Sequence, residues 1–252
     1  KMPISLYQKF VPKVFEALDG VISVSQATRE ECIKRGMAPE KGVALPNGFD
    51  MSHLKESPEK EVARNHIEKA FKLDLNNKYL LLTVGRQVKR KGHAWFIENV
   101  LPELQSDVIY LAIGEGPEHE NLKQIVQENS LEEKVLLVGK QPDEILRFAY
   151  AASDVFIMPN VPVEGDMEGF GIVLLEANLA STPAVASDLE GIKDVIANGK
   201  NGYKVPVYDH EKFATKVDHV IENELEKMSA VSRSFVTENF SWSHVAEQYI
   251  SY

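Results

Sequence analysis

Tyr79-Leu-Leu-Leu-Thr-Val84 runs straight into Gly85-Arg86-Gln-Val-Lys-Arg-Lys91-Gly92. A nearly continuous apolar run that stops at a glycine reads as a strand buried on both faces, because a strand wetted on one side would alternate. The basic turn behind it leads into an amphipathic stretch expected to be helical from about His93 to Leu104, with Trp95, Phe96, Val100 and Leu101 inward. Strand, glycine-bearing turn and helix make the first half of a βαβ unit.

Working outward, the unit repeats. Val108 to Ile113 reads as a strand closed by Gly114-Glu115-Gly116-Pro117, ahead of a helix over 118–129. Val135 to Val138 ends at Gly139-Lys140, and a helix follows over Asp143 to Ala151. Val155 to Met158 ends at Pro159. Gly171 to Leu179 reads as a helix with Ile172, Leu175 and Leu179 on one face. Ala184 to Ala186 and Tyr203 to Val205 read as short strands, and helices fill most of 209–239 and 242–249. Strands alternating with helices predict an α/β fold, a Rossmann-like parallel sheet with helices on both faces.

The first fifty residues read differently: helix over 6–18, strand over 21–25, helix over 27–35, strand over 43–45. Two strands are too few for a sheet that stands alone. Pro46-Asn47-Gly48 marks a turn or hinge, and the charged stretch Glu56 to Asn65 reads as a surface connection. The organisation expected is a remnant of a first domain over 1–48 and a Rossmann-like domain over 49–240. A final helix over 241–252 is expected to pack back on the N-terminal part. The start at Lys1 suggests a fragment whose first domain is largely absent.

Bulk properties narrow the classes. Of 252 residues, 44% are hydrophobic and 26% charged, ordinary globular usage that argues against disorder. A net charge of -10 disfavours nucleic acid as a partner. One cysteine, Cys32, leaves no disulfide framework or thiolate metal site. No apolar run reaches the roughly 18 residues of a membrane span.

In open α/β sheets ligands sit beyond the carboxyl ends of the strands, so the residues after each strand carry the functional interest. Arg86 offers a planar fork and Lys91 a point charge, complementary ways to hold a diphosphate; a solvated basic loop is the other reading of Gln87 to Arg90. In Glu164-Gly-Asp-Met-Glu168-Gly-Phe-Gly171-Ile-Val-Leu-Leu-Glu176, glycines 169 and 171 allow close backbone approach. Glu176, on an apolar helix, needs a partner such as a ribose diol, or else is a partly exposed helix charge. Phosphate-loop, dinucleotide-fingerprint, Gly-x-Ser-x-Gly and histidine-pair metal templates all fail.

The ordered set Pro46-Asn-Gly-Phe-Asp50, Gly85-Arg86 with Lys91-Gly92, Gly114-Glu-Gly-Pro117, Ser153-Asp-Val-Phe156, Glu168-Gly-Phe-Gly171 with Glu176, and Asn201-Gly202 resembles the C-terminal half of the retaining glycosyltransferases of family 4, of GT-B fold. The two glutamates with seven residues between them are that family's signature. The resemblance implies a nucleotide-sugar donor, UDP or GDP, and a glycan or lipid-linked acceptor in polysaccharide or glycoconjugate synthesis. It implies no cofactor and no metal, and a cytoplasmic location with peripheral contact at the inner membrane face as an option. Arg86 and Lys91 would bind the diphosphate and stabilise its departing charge. Glu168 would face the transferred sugar, aided by the backbone of Gly169, Phe170 and Gly171, and Glu176 would hold the ribose. Gly85 and Gly114 would line the donor site, with Gly139 and Lys140 bordering the base.

Two departures stand out. Glu190-Gly191 occupies the place of a glycine pair, and most of the acceptor-side domain is lacking. Two alternatives accompany the transferase reading: a nucleotide-sugar-binding module that needs a partner chain, and a GT-B epimerase or phosphorylase. Nucleobase, sugar, acceptor and oligomeric state stay open at this level.

Overall fold

The computed structural model describes residues 8–50 and 57–252. Six strands form one sheet: β3 (Tyr79–Val84), β4 (Val108–Ile113), β5 (Val135–Leu137), β6 (Val155–Met158), β7 (Ala184–Ser187) and β8 (Gly202–Val205). They lie in the order β5-β4-β3-β6-β7-β8 and every pairing is parallel. All carboxyl ends therefore meet at one edge. The chain order reverses between β3 and β6, which sets a crevice at that point. A separate parallel pair, β1 (Val21–Ser23) and β2 (Gly42–Ala44), belongs to the first fifty residues.

The continuous apolar strands follow from a sheet covered on both sides. Leu80, Leu82, Leu111, Phe156 and Met158 point into one core, Leu81, Tyr110, Val155 and Ile157 into the other, the period-two alternation of a strand whose two faces are equally dry. The first core is closed by α3 (Lys60–Phe71), α6 (Asp143–Ala152), α7 (Ile172–Leu179) and the end of α9 (Leu225–Phe240). The second is closed by the helical stretch from His93, called α4, together with α5 (His119–Glu128) and α8 (His210–His219).

Several expectations change. The surface connection over 56–65 is, from Lys60 on, the helix α3 with Ala63 and Ile67 fully buried; Glu56 lies outside the described residues. Its charges face outward or bind. Arg64 donates to Asp154, Leu75 O and Lys78 O, while Lys60 reaches Asp154 at 2.6 Å. Asp154 is itself buried and accepts the Leu80 amide at 2.7 Å. A charged helix is thus riveted to the sheet through a buried carboxylate, which no periodicity count detects.

The helix over 93–104 is irregular. His93–Trp95 is α-helical, Phe96–Val100 a π turn and Leu101–Glu103 a 3-10 turn around Pro102. The wider turn brings Phe96, Ile97, Val100 and Leu101 inward together, while Trp95 stays half-buried. Finally, Ile172 is exposed, and α7 buries Leu174, Leu175, Ala177 and Leu179 instead. The first turn of α7 opens onto a cleft.

In the first fifty residues α1 (Val11–Ala17) is shorter than expected, and Leu6 and Tyr7 lie outside the described residues. Ser25 is not part of β1. Its hydroxyl caps α2 (Gln26–Lys34) in a box with Thr28. The last helix, α10 (Trp242–Ser251), meets this region: Tyr249 OH donates to Pro46 O and Tyr252 OH to Lys41 O at 2.8 Å. Among the described residues no helix is long and apolar enough to cross a membrane.

His93 is buried at the end of β3's following turn, and burial, helped by the nearby Lys91 charge, lowers its pKa to about 4. The unfolded chain then binds a proton that the folded chain refuses between about pH 6.5 and 4, so stability rises with pH across that window and is lost on acidification. At full extent the effect is about 3 kcal/mol. Urea unfolding of His93→Phe is expected to show an acid limb flatter by about one proton over that range.

Candidate functional site

The carboxyl edge collects the segments after β3, β4, β5, β6 and β7. Four buried side-chain atoms without a hydrogen-bond partner among the described residues are Gln87 Nε2, His93 Nε2, Asn160 Oδ1 and Ser187 Oγ. Gln87, Asn160 and Ser187 lie at or just beyond the carboxyl ends of β3, β6 and β7, and His93 opens the helix that follows β3. Unsatisfied buried polar groups are rare in native proteins and each calls for a reason. Three of the four follow β3 or β6, the strands on either side of the topological switch.

Glu168 is the centre of the charge arrangement. Its Oε2 accepts from Lys91 Nζ at 2.6 Å, from Asn160 Nδ2 at 2.9 Å and from Arg90 Nη1. Arg90 is braced from its other side by Asp166, Nε to Oδ1 at 2.9 Å. The three donors share one oxygen, so Oε1 takes no part in this clamp. Burial raises the Glu168 pKa, but Lys91 and then Arg90 outweigh it and the carboxyl is held below its usual value. Burial lowers the Lys91 pKa against the pull of Glu168. For Arg90 burial opposes the charge, and Glu168 and Asp166 prevail.

Local sequence explains the placement. Lys89–Lys91 forms a 3-10 turn, and the pair β3–β6 sets it opposite Pro159-Asn160: Val161 N–H donates to Arg90 O at 2.9 Å. Phe170 anchors the loop beyond Glu168 by burying its ring against Phe240, centroids 6.0 Å apart. Gly171 caps the start of α7. Gly169 borders the first fifty residues, where a Cβ would sit 3.9 Å from Val24 and Thr28 methyls.

The remaining sequence candidates divide between this cluster and its surroundings. Gly85 lies beside Lys91, within 3.4 Å of its Cε for an added Cβ. Arg86 is exposed; its carbonyl accepts the Val88 N–H at 2.9 Å, and its guanidinium makes no hydrogen bond or ion pair with another described residue. Gly114 has φ +139, and a Cβ there would lie 1.9 Å from Gly85 O, so only glycine lets the β3 and β4 ends close up. Gly114 N–H donates to Gly139 O at 2.8 Å, and the exposed Lys140 contributes its amide to Glu115 Oε1 at 3.4 Å. Glu176 accepts from Tyr150 OH at 2.6 Å. Both border a cleft of about 450 Å3 shared with Phe49, Arg147 and Ile172. Burial and the Glu176 charge push the Tyr150 hydroxyl well above its ordinary pKa, so it stays a donor.

Sequence reasoning missed Arg90, Asn160, Tyr150 and Asp166. For Arg90 the signal was present in the run Lys89-Arg90-Lys91, but register within a basic turn is invisible without its partners. For Asn160 the only hint was a polar residue just past an apolar strand.

The hydrogen-bond chain also fixes a tautomer. Thr83 donates to Ile157 O and Tyr110 OH to Thr83, so the Tyr110 oxygen accepts from His93 Nδ1 at 3.1 Å. Neutral His93 then carries its proton on Nδ1 and a bare lone pair on Nε2.

Residues 65–234 match the family of glycosyl transferases, group 1, and the chain belongs to that family. The chain is 25% identical over 95% of its length to the amylovoran biosynthesis glycosyltransferase AmsK of Erwinia amylovora, spanning 57% of that protein. It is 29% identical over 98% of its length to the phosphatidyl-myo-inositol mannosyltransferase of Mycobacterium leprae, spanning 62% of it. Among solved structures, Anabaena Alr3699/HepE in complex with UDP and glucose superposes with a TM-score of 0.81 at 21% identity, covering 99% of this chain and 68% of that one. The fold is that of the GT-B glycosyltransferases.

The clamp on Glu168 predicts a stability effect. Glu168→Ala leaves Lys91 buried without its counter-ion and is expected to cost roughly 3 kcal/mol in urea unfolding at neutral pH. The further change Lys91→Leu should restore much of that loss, which a double-mutant cycle measures.

Proposed function

We propose that this chain forms the donor side of a retaining glycosyltransferase that takes a sugar from a nucleoside-diphosphate sugar, UDP or GDP, and passes it to a glycan or lipid-linked acceptor in polysaccharide or glycolipid synthesis. The observation that carries the reading is that a guanidinium with no partner among the described residues, Arg86, and the buried Lys91–Glu168 ion pair both follow β3 or β6, at the switch point of the sheet. Family membership and the names of the relatives support it. The chain spans 57% and 62% of the two curated relatives above.

In this reading the diphosphate lies over the β3 turn. As the glycosidic bond breaks, negative charge grows on the phosphate and oxocarbenium character on the sugar. Arg86 and Lys91 stabilise the first, and Lys91, already fixed on Glu168, needs little reorganisation to do so. The start of α7 adds its dipole. No metal is required in this scheme, because the two cations supply the charge that an ion would. Glu168, held through Oε2, offers Oε1 to a sugar hydroxyl. Glu176 accepts from the ribose hydroxyls, with Tyr150 fixing its rotamer, and Gly139 and Lys140 border the base. Attack by the acceptor on the face that the leaving group departs from retains configuration without a covalent sugar on Glu168. A cytoplasmic site with an acceptor delivered from the membrane surface accords with the lipid-linked substrates named for relatives.

Calorimetric titration in chelator with UDP, GDP and ADP, then with their sugar conjugates, tests the assignment. One nucleotide is expected to bind without metal. Arg86→Ala and Lys91→Ala are each expected to weaken it by about 1.5–3 kcal/mol, the range of a charge-assisted contact. Unchanged affinity in both variants, or binding only when metal is added, sinks the assignment.

A further inference from the structure

Glu190 has φ +46, a left-handed backbone that side chains other than Asn and Asp seldom adopt. Such a conformation costs free energy and persists where the surroundings impose it. What it gains is a contact with the Glu168 loop: the Glu190 carboxylate accepts the backbone N–H of Glu168. The next residue answers from the other side, as Gly191 N–H donates to Glu168 O at 3.0 Å. The approach is close enough that a Cβ on residue 191 would stand 2.1 Å from Gly169 O. Both the N–H and the C=O of Glu168 are therefore held by consecutive residues of one turn.

That turn, Glu190–Asp194, is anchored at its far end as well. Asp194 Oδ2 accepts the Gln26 amide at 2.6 Å, at the start of α2. A five-residue strut thus runs from the first fifty residues to the Glu168 loop. Glu190 also brings a carboxylate near Glu168 and Asp166, whose charges oppose its own while Arg90 favours it. A third carboxylate beside two others is unfavourable unless its hydrogen bond is needed.

We propose that Glu190 is a positioning residue for Glu168: from a left-handed backbone its carboxylate holds the Glu168 peptide so that the side chain is turned onto Lys91 and, with donor bound, toward the transferred sugar. The second half rests on the donor-side reading of the site. A glycine at this position would adopt the same backbone without strain but would leave the Glu168 amide free, so the residue supplies an interaction and not merely a conformation.

The experiment compares the parent chain with Glu190→Gly and Glu190→Gln. Amide hydrogen exchange resolved by NMR reads the Glu168 N–H, and calorimetry reads the affinity of UDP and GDP against their sugar conjugates. Glycine keeps the left-handed turn, so the fold should survive while Glu168 amide exchange accelerates about tenfold, as for one lost charge-assisted hydrogen bond. The extra affinity of a sugar conjugate over its bare nucleotide should fall by about fivefold or more, with bare-nucleotide affinity unchanged within about twofold. Glutamine, whose side-chain carbonyl still accepts, should restore exchange and sugar affinity, which a merely conformational role would not require. Unaltered Glu168 exchange in Glu190→Gly overturns the proposal. Accelerated exchange without change in the sugar increment overturns its substrate half. Failure of every variant to bind any nucleotide would count against the donor-side reading, and the exchange measurement would still decide whether Glu190 holds the peptide.

Discussion

One carboxylate oxygen, Glu168 Oε2, gathers a buried lysine, a half-buried arginine and a buried asparagine amide. Taking these charges from water is costly, and their mutual attraction offsets the cost only with good geometry on every side. The cluster therefore demands that the β3 turn, the β6 end and the loop before α7 stand in fixed register. Asp166 braces Arg90, Phe170 buries the loop's ring in the core, and the Glu190 turn holds the loop backbone. A site so tied is pre-organised before any ligand arrives, the condition under which electrostatic stabilisation is effective.

The sheet makes that register available. Because all six strands are parallel, their carboxyl ends share an edge, and reversal of chain order between β3 and β6 leaves a gap there. Gly114, with no Cβ to meet Gly85 O, lets the neighbouring strand ends close. Among the described residues, the buried side-chain polar atoms left without a partner belong to β7 or to segments that follow β3 and β6. Glu176 and Tyr150 sit a little apart, across a cleft that Ile172 leaves open by staying out of the core. A cluster dominated by charge and a carboxylate–hydroxyl pair thus flank a single helix start.

Much of this architecture was legible in the residues. Runs such as YLLLTV and VIYLAI can be little else than doubly buried strands, and each ends at a glycine at the carboxyl edge of the sheet. The failures have specific causes. Helix α3 was concealed because its charges are used: Lys60 and Arg64 compensate Asp154, so polarity there signals burial of a carboxylate and not exposure. The π turn over Phe96–Val100 shifts the helical period just where a fixed 3.6-residue count was applied. Ile172 was assigned inward by its spacing, yet it stands in the first turn, ahead of the point where α7 reaches the sheet.

By itself the sequence determined the fold class, the order of strands along the chain and the segments that follow them, because hydrophobic period and glycine placement are local properties of the chain. It also supplied the two glutamates and the basic turn. Only the tertiary structure decided which cation of that turn meets Glu168, that Asn160 and Arg90 join it, that Tyr150 serves Glu176, and that Glu190 reaches across to the Glu168 amide. Those choices depend on contacts between residues 8 to 78 positions apart, set by strand order and crossover and not by any spacing along the chain.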